Sequence, residues 1–265
     1  MANSRFEYVK LFERENPLLP DTYIVLRVDG KGFHKFLAHY GFEKPNDAKA
    51  LEVMNQAALL VMTKYPDVLM AYGDSDEYLF LLRKLCDLYE RREMKLITTF
   101  ALAFTTEYYY WWTQLFPEKP LDHERLPQFD CRAVVYPNFQ VVKDYFSWRQ
   151  ADCHINNLYN TTFWTLVQRG NLTPQQAEQR LLGTLAADKN EILFSEFGIN
   201  YNNEPEMYKK GTVLVREITE SEKQNEQLLD RQKQREQKKR RKAEIMTLHC
   251  DIIKDDFWQA RPYLE

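Results

Sequence analysis

The chain has 265 residues, 44% of them hydrophobic, enough for one elaborated domain or two small ones. A formal net charge of −3 excludes a globally basic nucleic-acid coat, so a polyanion would have to meet local basic patches. Four cysteines without C-x-x-C spacing exclude a structural zinc site, and the absence of an apolar leader or a membrane-length apolar run points to a soluble intracellular protein.

Ser4 followed by Glu7 is a capping-box pattern and predicts a short helix to about Glu15, stopped by Pro17 and Pro20. Tyr23, Ile24, Val25, Leu26 and Val28 read as a strand buried on both faces. The strand delivers Asp29 to a turn in which Gly30 and Gly32 let the backbone approach a ligand. Asp-Gly is also a common purely structural turn. A loop over residues 37–46 carries Lys44, and Asp47 to Tyr65 has helical spacing and a stop at Pro66. Val68 to Arg83, VLMAYGDSDEYLFLLR, predicts a β-hairpin with Asp74, Asp76 and Glu77 at or just inside its tip. The order is strand, helix, strand, strand. A right-handed crossover makes the first two strands parallel, with adjacency allowed, and brings Asp29 and Asp76 to one sheet edge. Carboxylates converging there suit Mg²⁺, and such a pair can hold two ions about 4 Å apart for phosphoryl transfer.

Asp87 to Phe116 predicts a long helix with room for one break; Arg92 and Lys95 share a side near its start, as a solvated face would also place them. Phe129 to Tyr136 reads as a strand with Asp130 and Arg132 on one face. Helical patterning resumes at Val141, and Ile155, Leu158, Thr162 and Leu166 mark a buried stripe. His154 and Asn157 flank the stripe on one side, Asn156 and Asn160 on the other. Three Asn in five residues cost a helix roughly 2 kcal/mol, so these amides are expected to be in use. Thr173-Pro174 opens a further helix, and another from Asp188 to Phe197 stops at Gly198. Residues 200–203 form a polar loop, 211–218 a strand, and 220–244 a charged arm ending in KKRRK, read as solvated, phosphate-contacting or a nuclear signal. Residues 245–253 suit an antiparallel partner for 211–218, with Phe257 and Trp258 packed back on the body.

With RVDGKGF at 27–33, YGDSDE at 72–77 and HINNLYN at 154–160, the sequence resembles the tRNA-histidine guanylyltransferases over essentially its whole length. The resemblance implies an α+β fold: a polymerase-palm-like (ferredoxin-like βαββαβ) sheet with helices on one face in residues 1–137. Residues 138–265 are then a helical tRNA-binding region with a C-terminal hairpin extension: strand 211–218, the charged arm and a last strand. It also implies addition of one guanylate to the 5′ end of tRNA-histidine. ATP adenylylates the 5′-monophosphate, the GTP 3′-hydroxyl attacks with release of AMP, and pyrophosphate is removed. Two Mg²⁺ ions per site, ATP and GTP as substrates, tRNA-histidine as partner, a homotetramer and a cytoplasmic location, with the nucleus in addition, belong to the same expectation.

Carried over by position, Asp29, the Gly30 carbonyl and Asp76 match the family's metal ligands, and Glu77 and Lys95 match further residues of the reaction. Lys31, Gly32, Phe33 and His34, with Ser75, resemble the triphosphate cradle; Lys44, Asp47 and Arg92 resemble positions around the nucleotides. Arg27, Arg132, His154, Asn157 and Asn160 resemble the side that meets the tRNA end or a second triphosphate. A 3′-to-5′ tRNA repair polymerase or a nucleotide cyclase is the enzymatic alternative, and a non-catalytic RNA-binding subunit the other. Two nearby aspartates are costly without a cation between them, which argues against the last.

Overall fold

The computed structural model of the protein describes residues 4–218 and 237–265. Residues 219–236, most of the expected charged arm, lie outside the described residues.

The hairpin decides the sheet. Strand β2 (Val68–Asp74) and strand β3 (Glu77–Leu82) are joined through Ser75 and Asp76 alone, with Ser75 in the left-handed region at φ 55°. A two-residue link forces β3 to lie beside β2. Strand β1 (Tyr23–Gly30) then pairs with β3, antiparallel, with Asp29 opposite Glu77 and Val25 opposite Leu81. Strands β1 and β2 are therefore parallel in one sheet, as the crossover implies, with β3 between them. Strand β4 (Phe129–Tyr136) takes the other side of β1, while β5 (Thr212–Arg216) and β6 (Ile245–Leu248) extend the sheet beyond β2. The order is β4-β1-β3-β2-β5-β6, every pair antiparallel.

Helices cover both faces, not the one expected. In β1, Ile24, Leu26 and Val28 point into a core with α2 (Ala48–Lys64) and α3 (Glu93–Leu115). Tyr23 and Val25 point the other way, with Leu79, Leu81, Val213 and Val215, onto Val142 and Phe146 of α4 (Phe139–Gln168). Phe257 and Trp258 close that second core, as their sequence position suggests. Apolar residues at consecutive strand positions feed both cores. Beyond Cys153, α4 packs on α5 (Pro174–Leu181) and α6 (Ala186–Phe197), where Leu158 and Leu166 are buried.

Local signals fare unevenly. Thr173 and Gln176 form a capping box at α5, and Gly198, with φ 66°, ends α6. The expected N-terminal helix is instead a 3₁₀ segment, Glu7–Phe12, with no buried residue. Glu7 pairs with Lys10 at 2.6 Å instead of reaching back to Ser4, so the box does not close. Ile155, placed in the buried stripe, is 62% exposed, because α4 turns Cys153, Leu158, Thr161 and Thr162 inward instead. The break before α3 is real: Tyr89, Glu90 and Arg91 all have positive φ near 55°. In the basic run, Arg240 is buried near Asp67 while Lys238, Lys239, Arg241 and Lys242 stay exposed.

Candidate active site

At the tip end of β1 and β3 lies a cleft of about 370 Å³. The strands deliver its acids: Asp29 ends β1, and Asp76 occupies the β2–β3 turn. The Gly30 amide donates to the Asp76 carbonyl at 2.9 Å, and a Cβ on Gly30 would come within 3.0 Å of the Asp76 Cβ. The same Cβ would run into the Phe33 ring, and that overlap, more than the approach to Asp76, calls for glycine here. Burial pushes the Asp76 carboxyl above its usual range, and the Asp29 charge pushes it further the same way.

Behind Asp29 runs a chain of alternating charge. Arg27 Nη2 lies 2.7 Å from Asp29 Oδ2 and also contacts Glu77. Arg149 of α4 grips Glu77 with two bonds, Nε to Oε1 at 2.8 Å and Nη2 to Oε2 at 3.2 Å, and reaches Asp152 at 3.1 Å. Burial raises the Glu77 carboxyl while both arginines pull it down. Glu77, expected as a further acid of the reaction, has both oxygens occupied by arginines. It acts on the cleft through them.

Among the described residues no group of three or more His, Cys, Asp or Glu side chains could hold a metal ion. A cation would take the Asp29 and Asp76 carboxylates and the Gly30 carbonyl, leaving other positions to ligand oxygens. An oxygen-only set with few protein ligands fits Mg²⁺. The mutual repulsion registered at Asp76 is what such an ion would relieve.

The cleft gathers Arg27, Asp29, Phe33, Lys44, Asp47, Ser75, Asp76, Glu77, Asn157 and Asn160 of the expected residues. Asp47 also caps α2, accepting the Lys49 and Ala50 amides at 3.0 Å. Lys31, Gly32 and His34 form the exposed turn opening the short helix α1 (Phe33–His39) beside it. Other expected residues stand away. Arg92 pairs with Glu15 at 2.8 Å, and Lys95 lies 6.0 Å from the Tyr89 ring. Tyr108 of α3 reaches the cleft thirteen residues further on, so Lys95 sits about 20 Å back along the same helix. Arg132 is exposed, 3.7 Å from Asp130, and His154 is exposed with its ring 5.7 Å from Tyr201.

Sequence reasoning missed Arg149, Asn46 and Asn55, and placed Asp74 at the hairpin tip without a role; all four line the cleft. Arg149, Cys153, Asn156 and Asn160 reach the cleft from one side of α4, a spacing that a solvated polar face would share. Asp74 is pushed up to about 6, chiefly by burial. The apolar part of the lining includes Phe33, Leu37, Phe42, Leu51, Met54 and Tyr108. A flat apolar group with a polyanionic tail suits a cleft of this make-up, which joins apolar side chains for a ring to carboxylates for a bridging cation.

Comparison with known proteins accords with this arrangement. A family model described as tRNAHis guanylyltransferase matches residues 6–137, and one described as Thg1 C terminal domain matches residues 140–254. The chain is 62% identical over 264 residues to the tRNA(His) guanylyltransferase of Debaryomyces hansenii, covering 100% of this chain and 99% of that one. It is 52% identical over 265 residues to the Schizosaccharomyces pombe protein of the same name, covering 100% and 98%. The crystal structure of tRNA(His) guanylyltransferase from Saccharomyces cerevisiae matches with a TM-score of 0.77 at 53% identity, over 80% of this chain and 93% of that one. A bacterial tRNA(His) guanylyltransferase-like protein in complex with ATP shares the fold, with a TM-score of 0.72 at 21% identity over 98% and 96% of the two chains.

Proposed function

The chain belongs to the tRNA(His) guanylyltransferase family and is a nucleotidyltransferase, and from that premise we propose that its cleft adds a single guanylate to the 5′ end of tRNA-histidine. The reaction proceeds in three stages. The tRNA 5′-phosphate attacks ATP at its α-phosphorus and releases pyrophosphate; the 3′-hydroxyl of GTP then attacks the activated 5′-phosphorus and releases AMP; hydrolysis removes pyrophosphate from the new end.

The observation that carries this reading is the meeting of Asp29, Gly30 and Asp76 beside a cleft lined by both charged groups and apolar side chains. Two Mg²⁺ ions bound there would supply charge neutralisation for the phosphates and for the attacking and leaving oxygens. The protein's own work is positioning. The turn at Lys31–His34 and Ser75 orient the triphosphate, and Lys44 and Asp47 hold the nucleotide from the opposite wall. Arg27 and Arg149, kept in place by Glu77, set a positive field beside the reacting phosphates. Arg132, His154 and Asn160 lie towards the tRNA end. The exposed Phe6, Tyr8, Leu11, Phe12 and Leu19 offer an apolar surface for assembly into a homotetramer. The protein works in the cytoplasm, and in the nucleus as well.

The test is incubation with ATP, labelled GTP, Mg²⁺ and a panel of 5′-monophosphorylated tRNAs. One added guanylate on tRNA-histidine alone is expected. Extension of truncated tRNAs regardless of identity would instead make the protein a 3′-to-5′ repair polymerase, and binding without label transfer would defeat the enzymatic reading.

A further inference from the structure

We propose that Asn157 is a positioning residue that fastens the cleft wall at residues 43–47 to α4, and not a contact for tRNA. The inference rests on the nucleotide reading of the cleft and deepens it. Residues 43–47 link α1 to α2, carry Lys44 and Asp47, and form one wall of the cleft. Their backbone belongs to no helix or strand, so side chains must hold it. Asp47 ties the segment to its own helix, accepting the Glu43 amide at 3.2 Å while capping α2.

The tie to the other half of the molecule runs through Asn46, whose Oδ1 accepts Asn157 Nδ2 at 2.8 Å. Gln168 Nε2, also on α4, donates to the Lys44 carbonyl at 3.5 Å, and the Lys44 ammonium lies 6.0 Å from the Trp164 ring. Asn157 is itself immobilised, because its Oδ1 accepts the Tyr201 hydroxyl at 3.0 Å and the Thr161 hydroxyl at 3.4 Å. Tyr201 is 3% exposed and packs on Leu158 and Leu193, so the anchor is core. An amide whose oxygen accepts two bonds and whose nitrogen gives one has a single N–H left, too little to read a base edge with two bonds. It is well suited to transmit the position of α4 to the wall. Loosening the wall should weaken nucleotide binding and leave the chemistry of a bound nucleotide alone.

The test uses the full-length protein as Asn46→Leu, Asn157→Leu, the double variant and Asn46→Asp. Hydrogen exchange of residues 43–47 is measured without nucleotide, together with steady-state GTP kinetics on tRNA-histidine. Each leucine variant is expected to speed exchange at 43–47 while leaving β1 and β3 unchanged. It should raise KM for GTP about two- to tenfold, the range one net hydrogen bond covers, with kcat within about twofold. The double variant should match Asn157→Leu alone, because once Asn157 is gone Asn46 has lost that bond already. Asn46→Asp keeps the acceptor and should match the parent in exchange at 43–47. Additive losses, unchanged exchange at 43–47, or a fall in kcat with KM and exchange intact would each overturn the proposal, the last being how a tRNA contact behaves. GTP binding to the unmodified protein, measured calorimetrically, is a separate readout: its absence would defeat the nucleotide reading, while nucleotide-free exchange still decides the tie.

Discussion

Two charged clusters stand at opposite ends of the central strands and are built on opposite principles. At the cleft, acids are in excess: Asp29, Asp74, Asp76, Glu77 and Asp152 share Arg27 and Arg149. At the far end, Arg83, Arg216 and Arg240 gather around Asp67. There the surplus cation is absorbed by fixed dipoles. Arg216, 1% exposed, donates to the carbonyls of Val68 at 3.2 Å and Arg240 at 2.6 Å, and to that of Met62. Burial and the charge of Arg240 still push its guanidinium down to about 10. Buried cations met by carbonyls make a frame, whereas acids left in excess await positive charge from outside. The frame serves stability, and the cleft gives some up for function.

The contrast can be broken or sharpened by substitution. Asp76→Ala should cut single-turnover guanylylation of labelled tRNA by about 1000-fold or more without lowering the melting temperature in metal-free buffer, since it removes a like-charge contact. Retention of normal turnover would end the distinction between the two clusters. Arg216→Leu should do the reverse. It strips the Val68, Met62 and Arg240 carbonyls of their donor and should cost about 3 kcal/mol in urea denaturation, with unchanged specific activity of the folded fraction. Glu77→Gln falls between them: Arg27 and Arg149 lose their shared anion, and turnover should drop about 100-fold with a stability loss of about 1–3 kcal/mol. A stability loss with intact turnover would move Glu77 into the frame.

The smallest effect concerns pH. Asp74 holds its proton to about 6 when folded, against 3.8 for an unperturbed group, so between those values the native state binds a proton the unfolded state has lost. Stability from this residue is therefore present at low pH and declines as pH rises through about 6. Asp74→Asn should flatten that decline in thermal unfolding of metal-free protein. An unaltered slope would show that the residue is not buried in charge as its surroundings dictate.

Much of this was legible in advance because local chemistry and tertiary structure agreed. The apolar run before Asp29, the Gly-Asp-Ser-Asp turn and the Thr173 capping box each name an element without help from the rest of the chain. A two-residue turn fixes β3 beside β2 but not on which side, so the insertion of β3 between β1 and β2 has no local signal. Glu77 was marked as an acid, but its partner Arg149 lies 72 residues away on a helix whose polar face reads like any solvated one. Arg240 sat in a run of five basic residues, and nothing in that run distinguishes the one that is buried. Long-range pairing of charges leaves no periodicity to read.

Because β5 hydrogen-bonds along β2 from Gly73 to Met70, the sheet that carries Asp29 and Asp76 borrows a strand from far along the polypeptide. Severing the chain between the two matched segments would bare the flank of β2, an apolar ribbon ready to template aggregation. Guanylate addition and the helical appendage are thus mechanically indivisible, and evolution could trim or graft neither piece without re-closing that seam.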